Sequence, residues 1–176
     1  MYIKNISIIL LLSLQLISLV VAADTLKAYT LGGKFQATFS SQPKFLGSMN
    51  YEGNTYNSYA STDEIRKVMF SSIFPIKGQT TYSKQKQEQE IKNFVTGFAK
   101  SSNAKLLHLK TYKGNGAQCA DYTFSKITQG ITIKTFGKVI YADSRFYQWG
   151  IKEFVGVTLI DAQSLFNETK SNFYVH

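Results

Sequence analysis

The spacing of apolar residues changes several times along this chain, and each change marks an element. Lys34 to Phe39 alternates large apolar with small or polar residues and stops at Gln42-Pro43, which reads as a strand closed by a breaker. Phe45 to Tyr51 and Thr55 to Ser61 are Tyr- and Ser-rich extended stretches. Glu52-Gly53-Asn54 joins them as a hairpin turn by composition. Asp63-Glu64 turns the chain again, into a third strand from Ile65 to Phe74 that ends at Pro75. Connections this short favour antiparallel neighbours.

The period then switches. Between Ser83 and Ser101, Ile91, Phe94, Val95 and Phe98 fall at i, i+3, i+4 and i+7, one face of a helix. Lys86, Lys92 and Lys100 take the opposite face with Gln85, Gln89 and Asn93, and Glu88 stands in favourable i,i+4 order to Lys92. A helix with so polar a back covers one side of a sheet. Strands resume over Lys105–Tyr112, Gln118–Ile127, Ile131–Ala142 and Arg145–Phe154, with turns at Gly114-Asn115-Gly116, Gln129-Gly130 and Asp143-Ser144.

A two-residue loop at Asp143-Ser144 sets Gly137 opposite Gly150, Lys138 opposite Trp149 and Lys134 opposite Glu153. The paired glycines would let another element approach closely, and Lys138 over Trp149 would make a cation–π pair. Asp161 is an N-cap for a last helix to Asn172, with Leu165, Phe166, Thr169 and Phe173 on one face. His176 follows almost at once and is expected to move freely. The prediction is one α+β domain.

Three features arrive together in that order of elements. They are a Phe-x-x-x-Phe strand near a proline (Phe35, Phe39, Pro43), a meander followed by one amphipathic helix, and a strand pair with an aromatic return. That return runs from Val139-Ile140-Tyr141 to Arg145-Phe146-Tyr147-Gln148, before a final helix ending in Ser171-Asn172-Phe173. The succession, from about Lys34 to Val175, resembles the PsbP-like superfamily of small exported proteins, which includes the DcrB-type envelope proteins. The resemblance implies an α/β/α sandwich around a mostly antiparallel sheet, and an accessory or binding role without catalytic residues. The stretch Asn50 to Tyr59, rich in Tyr and Asn, and the strong positive charge depart from that pattern.

The first residues have a different purpose. A short basic start (Lys4) leads into Ile6 to Val21, almost wholly Ile, Leu and Val, and then into Ala22-Ala23-Asp24. As a helix that run spans about 24 Å, short of the roughly 30 Å hydrocarbon core. Residues 1–22 therefore read as a secretory signal peptide, cut after Ala22 or Ala23, with 23–176 as the exported domain. No cysteine follows the cut to carry a lipid, and nothing downstream is long and apolar enough to span a bilayer. The destination is periplasmic or extracellular, and secretion as a virulence-type effector is compatible with the leader.

Charge and chemistry narrow the function by elimination. Lys and Arg number 20 against 11 Asp and Glu, a net charge of +9, of which the leader holds only Lys4. One Cys excludes a disulfide framework and any multi-Cys metal site, and Cys119 reads as a small, inert strand residue. The only internal His, His108, shares a strand face with Leu106 and Lys110 by simple alternation. No nucleophile elbow, metal-binding His pair, EF-hand, P-loop or dinucleotide fingerprint is present.

No enzyme, cofactor or metal is expected, and the missing RNP pattern argues against nucleic acid. Two constellations remain. Lys86, Lys92, Lys100, Lys105, Lys110 and Lys113 suit an anionic protein, an envelope polymer or a membrane surface. Tyr51, Tyr56, Tyr59 and Trp149 suit an aromatic contact, as in an assembly accessory binding through a Tyr-rich sheet edge. A His108-dependent hydrolase is the remaining alternative.

Overall fold

The computed structural model describes residues 26–51, 54–62, 68–75, 82–157 and 161–176. The leader and the Asp63-Glu64 turn, with the start of the strand drawn from Ile65, lie outside them. Among the described residues, ten strands and two α-helices are arranged as a central sheet with a covering layer on each face, an α+β architecture. Strands β3 (Lys44–Tyr51), β4 (Asn54–Thr62) and β5 (Val68–Pro75) form the expected meander. Helix α1 (Lys84–Ser101) follows, with Ser83 as N-cap, its side chain accepting from the Lys86 amide. Strands β6 (Lys105–Gly114), β7 (Ala117–Thr128), β8 (Ile131–Ala142) and β9 (Arg145–Phe154) complete a seven-stranded sheet of order β3-β4-β5-β9-β8-β7-β6. Every neighbouring pair is antiparallel.

The second layer is α1, whose Ile91, Val95 and Ala99 pack on Ala120, Tyr122, Phe124, Val139, Tyr141 and Phe146. The third layer is more than the expected helix. Helix α2 (Ala162–Thr169) is capped by Asp161, which accepts from the Gln163 and Ser164 amides, and runs into a 3-10 turn over Lys170–Asn172. Beside it lies a three-stranded sheet of β1 (Lys27–Leu31), β2 (Phe35–Phe39) and β10 (Tyr174–Val175). Phe35, Phe39, Phe166 and Phe173 from this layer bury Phe136, Ile140, Tyr147, Trp149 and Ile151 of the central sheet. Strict period-2 alternation splits β7, β8 and β9 between these two cores.

Several expectations change in detail. The β8–β9 register is as read from the sequence, with Gly137 opposite Gly150, Lys138 opposite Trp149 and Lys134 opposite Glu153. What approaches Gly137 is a side chain from the neighbouring strand, the ring of Tyr122. The Lys138 ammonium turns to the Phe173 ring, 5.9 Å from its centroid, whereas Trp149 stacks on Phe166 and donates to the Thr38 carbonyl. His176 is tied down, because its amide donates to the Lys34 carbonyl at 2.9 Å beyond the β10–β2 ladder. His108 does not share a face with Leu106. The ladder shifts register between Leu106 and His108, and that bulge turns Leu106 and Leu109 toward α1 while His108 joins Lys110 on the opposite face.

Candidate functional site

Antiparallel pairing sets Lys110, Asp121 and Lys138 side by side across β6, β7 and β8, on the face away from α1. Tyr112, Cys119 and Ile140 form the next row. The segment from Lys170 to His176 walls the opposite side, and between them lies a cleft of about 1040 Å³. Within it Asp121 is fully engaged. One oxygen accepts from Tyr112 Oη at 2.9 Å and the other from Lys170 Nζ at 2.8 Å.

Lys138, 8% exposed, donates to the carbonyls of Lys170 at 2.9 Å and Phe173 at 3.0 Å. Those carbonyls close the α2 region, where helix ends carry partial negative charge, so the ammonium acts as a cap. Burial still pulls its pKa down, against the attraction of Cys119 and Asp121. The same burial, helped by Asp121, pushes the Tyr112 phenol up. Burial also pushes up the Cys119 thiol, whose Sγ sits 3.8 Å from the Gly114 and Ala117 carbonyls. A thiol held in its neutral form is a poor nucleophile. The cluster clamps the C-terminal segment to the sheet, and the cleft beside it is lined by Lys110, Lys138 and Lys170 together with Asp121 and Asp143.

The sequence-predicted lysines spread over three regions of the fold. Lys86 and Lys100 are exposed on α1, about 21 Å apart along the axis at 1.5 Å per residue. Lys92 turns to the flank, ion-paired with Glu88 at 2.7 Å. Glu88 also accepts from Thr111 Oγ1 at 3.0 Å, and its hydrogen bonds to Lys92 and Thr111 lower its pKa. The helix back therefore does carry a matching acid. Lys105, Lys110 and Lys113 are exposed on β6, an edge strand, and Lys110 also lines the cleft.

The aromatic set is not brought together either. Tyr51 and Tyr56 sit in the β3–β4 ladder opposite Asn54 and Met49, and their side chains lie outside what is described. Tyr59 is half-buried, its ring 5.4 Å from that of Phe45. Trp149, fully buried in the core, is withdrawn from any contact surface. Asp121, Lys170 and Tyr112 were not singled out as partners, since the Lys170–Asp121 pair is 49 residues apart and depends on how α2 docks.

No protein-family model matches the sequence, and no curated protein is significantly similar to it. Solved structures do match. The solution structure of cyanobacterial PsbP (CyanoP) from Synechocystis sp. PCC 6803 superposes with a TM-score of 0.59 at 13% identity, covering 89% of this chain and 96% of that one. A protein of unknown function from Pseudomonas aeruginosa, PA94, matches over 83% of this chain and 94% of its own at 8% identity, with a TM-score of 0.46. The element order read from the sequence and the superposition agree: the fold is PsbP-like.

Proposed function

We propose that this chain is an exported, non-catalytic binding or accessory protein that engages an anionic partner. The observation that carries the reading is the net charge, +9 for the full chain and +8 without the leader's Lys4, to which exposed Lys86, Lys100, Lys105, Lys110 and Lys113 contribute. Surface cations in excess of acids reward an anionic partner at long range and are screened by salt. The neutral, buried Cys119 and the edge position of His108 support a role without chemistry. Export rests on the leader read at residues 1–22, and no helix among the described residues is long and apolar enough to cross a membrane. The PsbP-like fold supports an accessory role by analogy of architecture.

Retention on an acidic polymer such as heparin tests the reading. Binding should weaken steeply with ionic strength and fall in Lys86→Glu/Lys100→Glu/Lys113→Glu. Salt-insensitive behaviour with no such loss overturns it. His108→Ala should leave the biological effect intact at equal expression. A second reading has one specific observation behind it. Edge strand β3 exposes Phe45 at 55% and Leu46 at 66%, beside Tyr59, which suits an apolar assembly contact. Binding that ignores salt and is lost in Leu46→Ser would favour it.

A further inference from the structure

One end of the central sheet carries apolar side chains that the fold does not use. The β7–β8 hairpin turns at Gln129-Gly130, and Ile127 and Ile131 flank that turn at 75% and 41% exposure. Alternation places them on opposite faces of the hairpin, since Ile127 pairs with Thr132 and Ile131 with Thr128. Val155, 39% exposed, is fixed beside them by its amide, which donates to the Thr132 carbonyl at 2.9 Å. The result is a blunt aliphatic tip on a rigid, fully paired ladder.

Lysines stand directly behind that tip. Lys126 adjoins Ile127 in β7, while Lys105 and Lys134 both pair with Ser125 from either side. At about 3.4 Å of rise per residue the Lys105–Ser125–Lys134 row lies about 7 Å behind Ile127. The acid in this row is Glu153, opposite Lys134.

We infer that this hairpin end is a membrane-contacting tip, inserting Ile127, Ile131 and Val155 into the headgroup boundary of an anionic bilayer while Lys105, Lys126 and Lys134 bind the lipid phosphates. The inference rests on the anionic-partner reading and narrows it to one partner. Interfacial apolar groups settle about 5–10 Å into the headgroup and acyl boundary, which matches the offset between tip and lysine row. Long lysine stems reach back to phosphates while their methylenes stay in the apolar zone. A convex tip with three aliphatic side chains presents far less than the roughly 800 Å² per partner of a stable protein interface. A lipid surface needs no such complementary shape.

Vesicle co-sedimentation tests this with the protein as the cell exports it, every variant being read against the parent. The parent should bind phosphatidylglycerol vesicles at low salt and bind phosphatidylcholine vesicles weakly. Ile127→Ser/Ile131→Ser should lower the partition by about tenfold or more. Lys105→Gln/Lys126→Gln/Lys134→Gln should lower it by about fivefold per lysine. Both isoleucines are exposed, so the Ser variant should keep the parent's circular dichroism and urea midpoint. As an independent reading, Ile127→Trp should give blue-shifted emission on phosphatidylglycerol vesicles, over the constant signal of buried Trp149. Unchanged partition in the Ser variant, or unshifted Trp emission, overturns the inference. Retention by heparin without vesicle binding overturns it too, but leaves the anionic-partner reading in place. Retention by neither removes both.

Discussion

Gly137 has no room for a side chain. A Cβ there would lie 2.1 Å from Cζ and 2.2 Å from Oη of Tyr122, because that ring crosses β8 at the glycine. The ring reaches from β7 over β8, stacks on Phe124 at 4.4 Å, and meets the Gln148 amide on β9 with its hydroxyl. It is 1% exposed, held between Phe124 and Gln148. Gly137→Ala should therefore cost about 3 kcal/mol or more, read from urea unfolding. Combining it with Tyr122→Ala should cost clearly less than the two single changes added, since the second removes what the first collides with. The pairing of Gly137 was legible in the sequence from one loop length. The side chain that fills the space was not, because it depends on the β7–β8 register as well.

At the scale of elements, periodicity and punctuation located both helices and the four-strand run from β6 to β9. Turn residues explain the accuracy there. Asn115-Gly116 and Gln129-Gly130 all take positive φ, as two-residue hairpin loops require. Asp143 and Ser144 do the same, at φ 50° and 54°, without a glycine. Ser144→Gly should therefore raise stability by about 1 kcal/mol, visible as a higher midpoint in thermal unfolding. Three features escaped the sequence for physical reasons. Strand β1 is mostly exposed and shows no apolar alternation. Strand β10 has two residues and exists because β2 offers it an edge. The bulge between Leu106 and His108 moves a histidine to the other face without any glycine or proline to announce it. The lysine cluster fared similarly, since Lys138 was placed by register but its carbonyl partners come from a segment docked over it.

Across the whole molecule, burial makes the fold depend on neutral phenols and a neutral thiol. Tyr112, Tyr122, Tyr147 and Cys119 are all pushed up, first by burial. In the unfolded chain these phenols ionise near about pH 10 and the thiol near about 8.5. Between those values and the raised native ones the unfolded state releases protons that the native state keeps. Their contribution is thus complete below the unfolded values and is lost as pH climbs toward the native ones. Lys138 and Lys152 are pulled down by burial and act in the opposite sense, gaining stability as pH rises toward the ordinary lysine range. The large shifts belong to Tyr112 and Tyr122, so the net effect is loss. The urea midpoint should be lower at about pH 11 than at about pH 8, and the share of phenolate absorbance that belongs to Tyr112, Tyr122 and Tyr147 should appear together with unfolding. A midpoint that holds or rises would show that the lysines dominate.

The small sheet of β1, β2 and β10 joins distant parts of the chain. Tyr174 Oη donates to Gln36 Oε1 across 138 positions, and Trp149 reaches Thr38 across 111. Phe35 and Phe39 cannot be sealed in until that last strand has been synthesised. Closing loops of this length before any contact repays them makes folding slow. A chain emerging from the ribosome at about 5–20 residues per second therefore stays unlatched until β10 has been made. On the proposed export route this order is useful, because the polypeptide stays threadable until β10 has been made and locks only once that strand has followed it through.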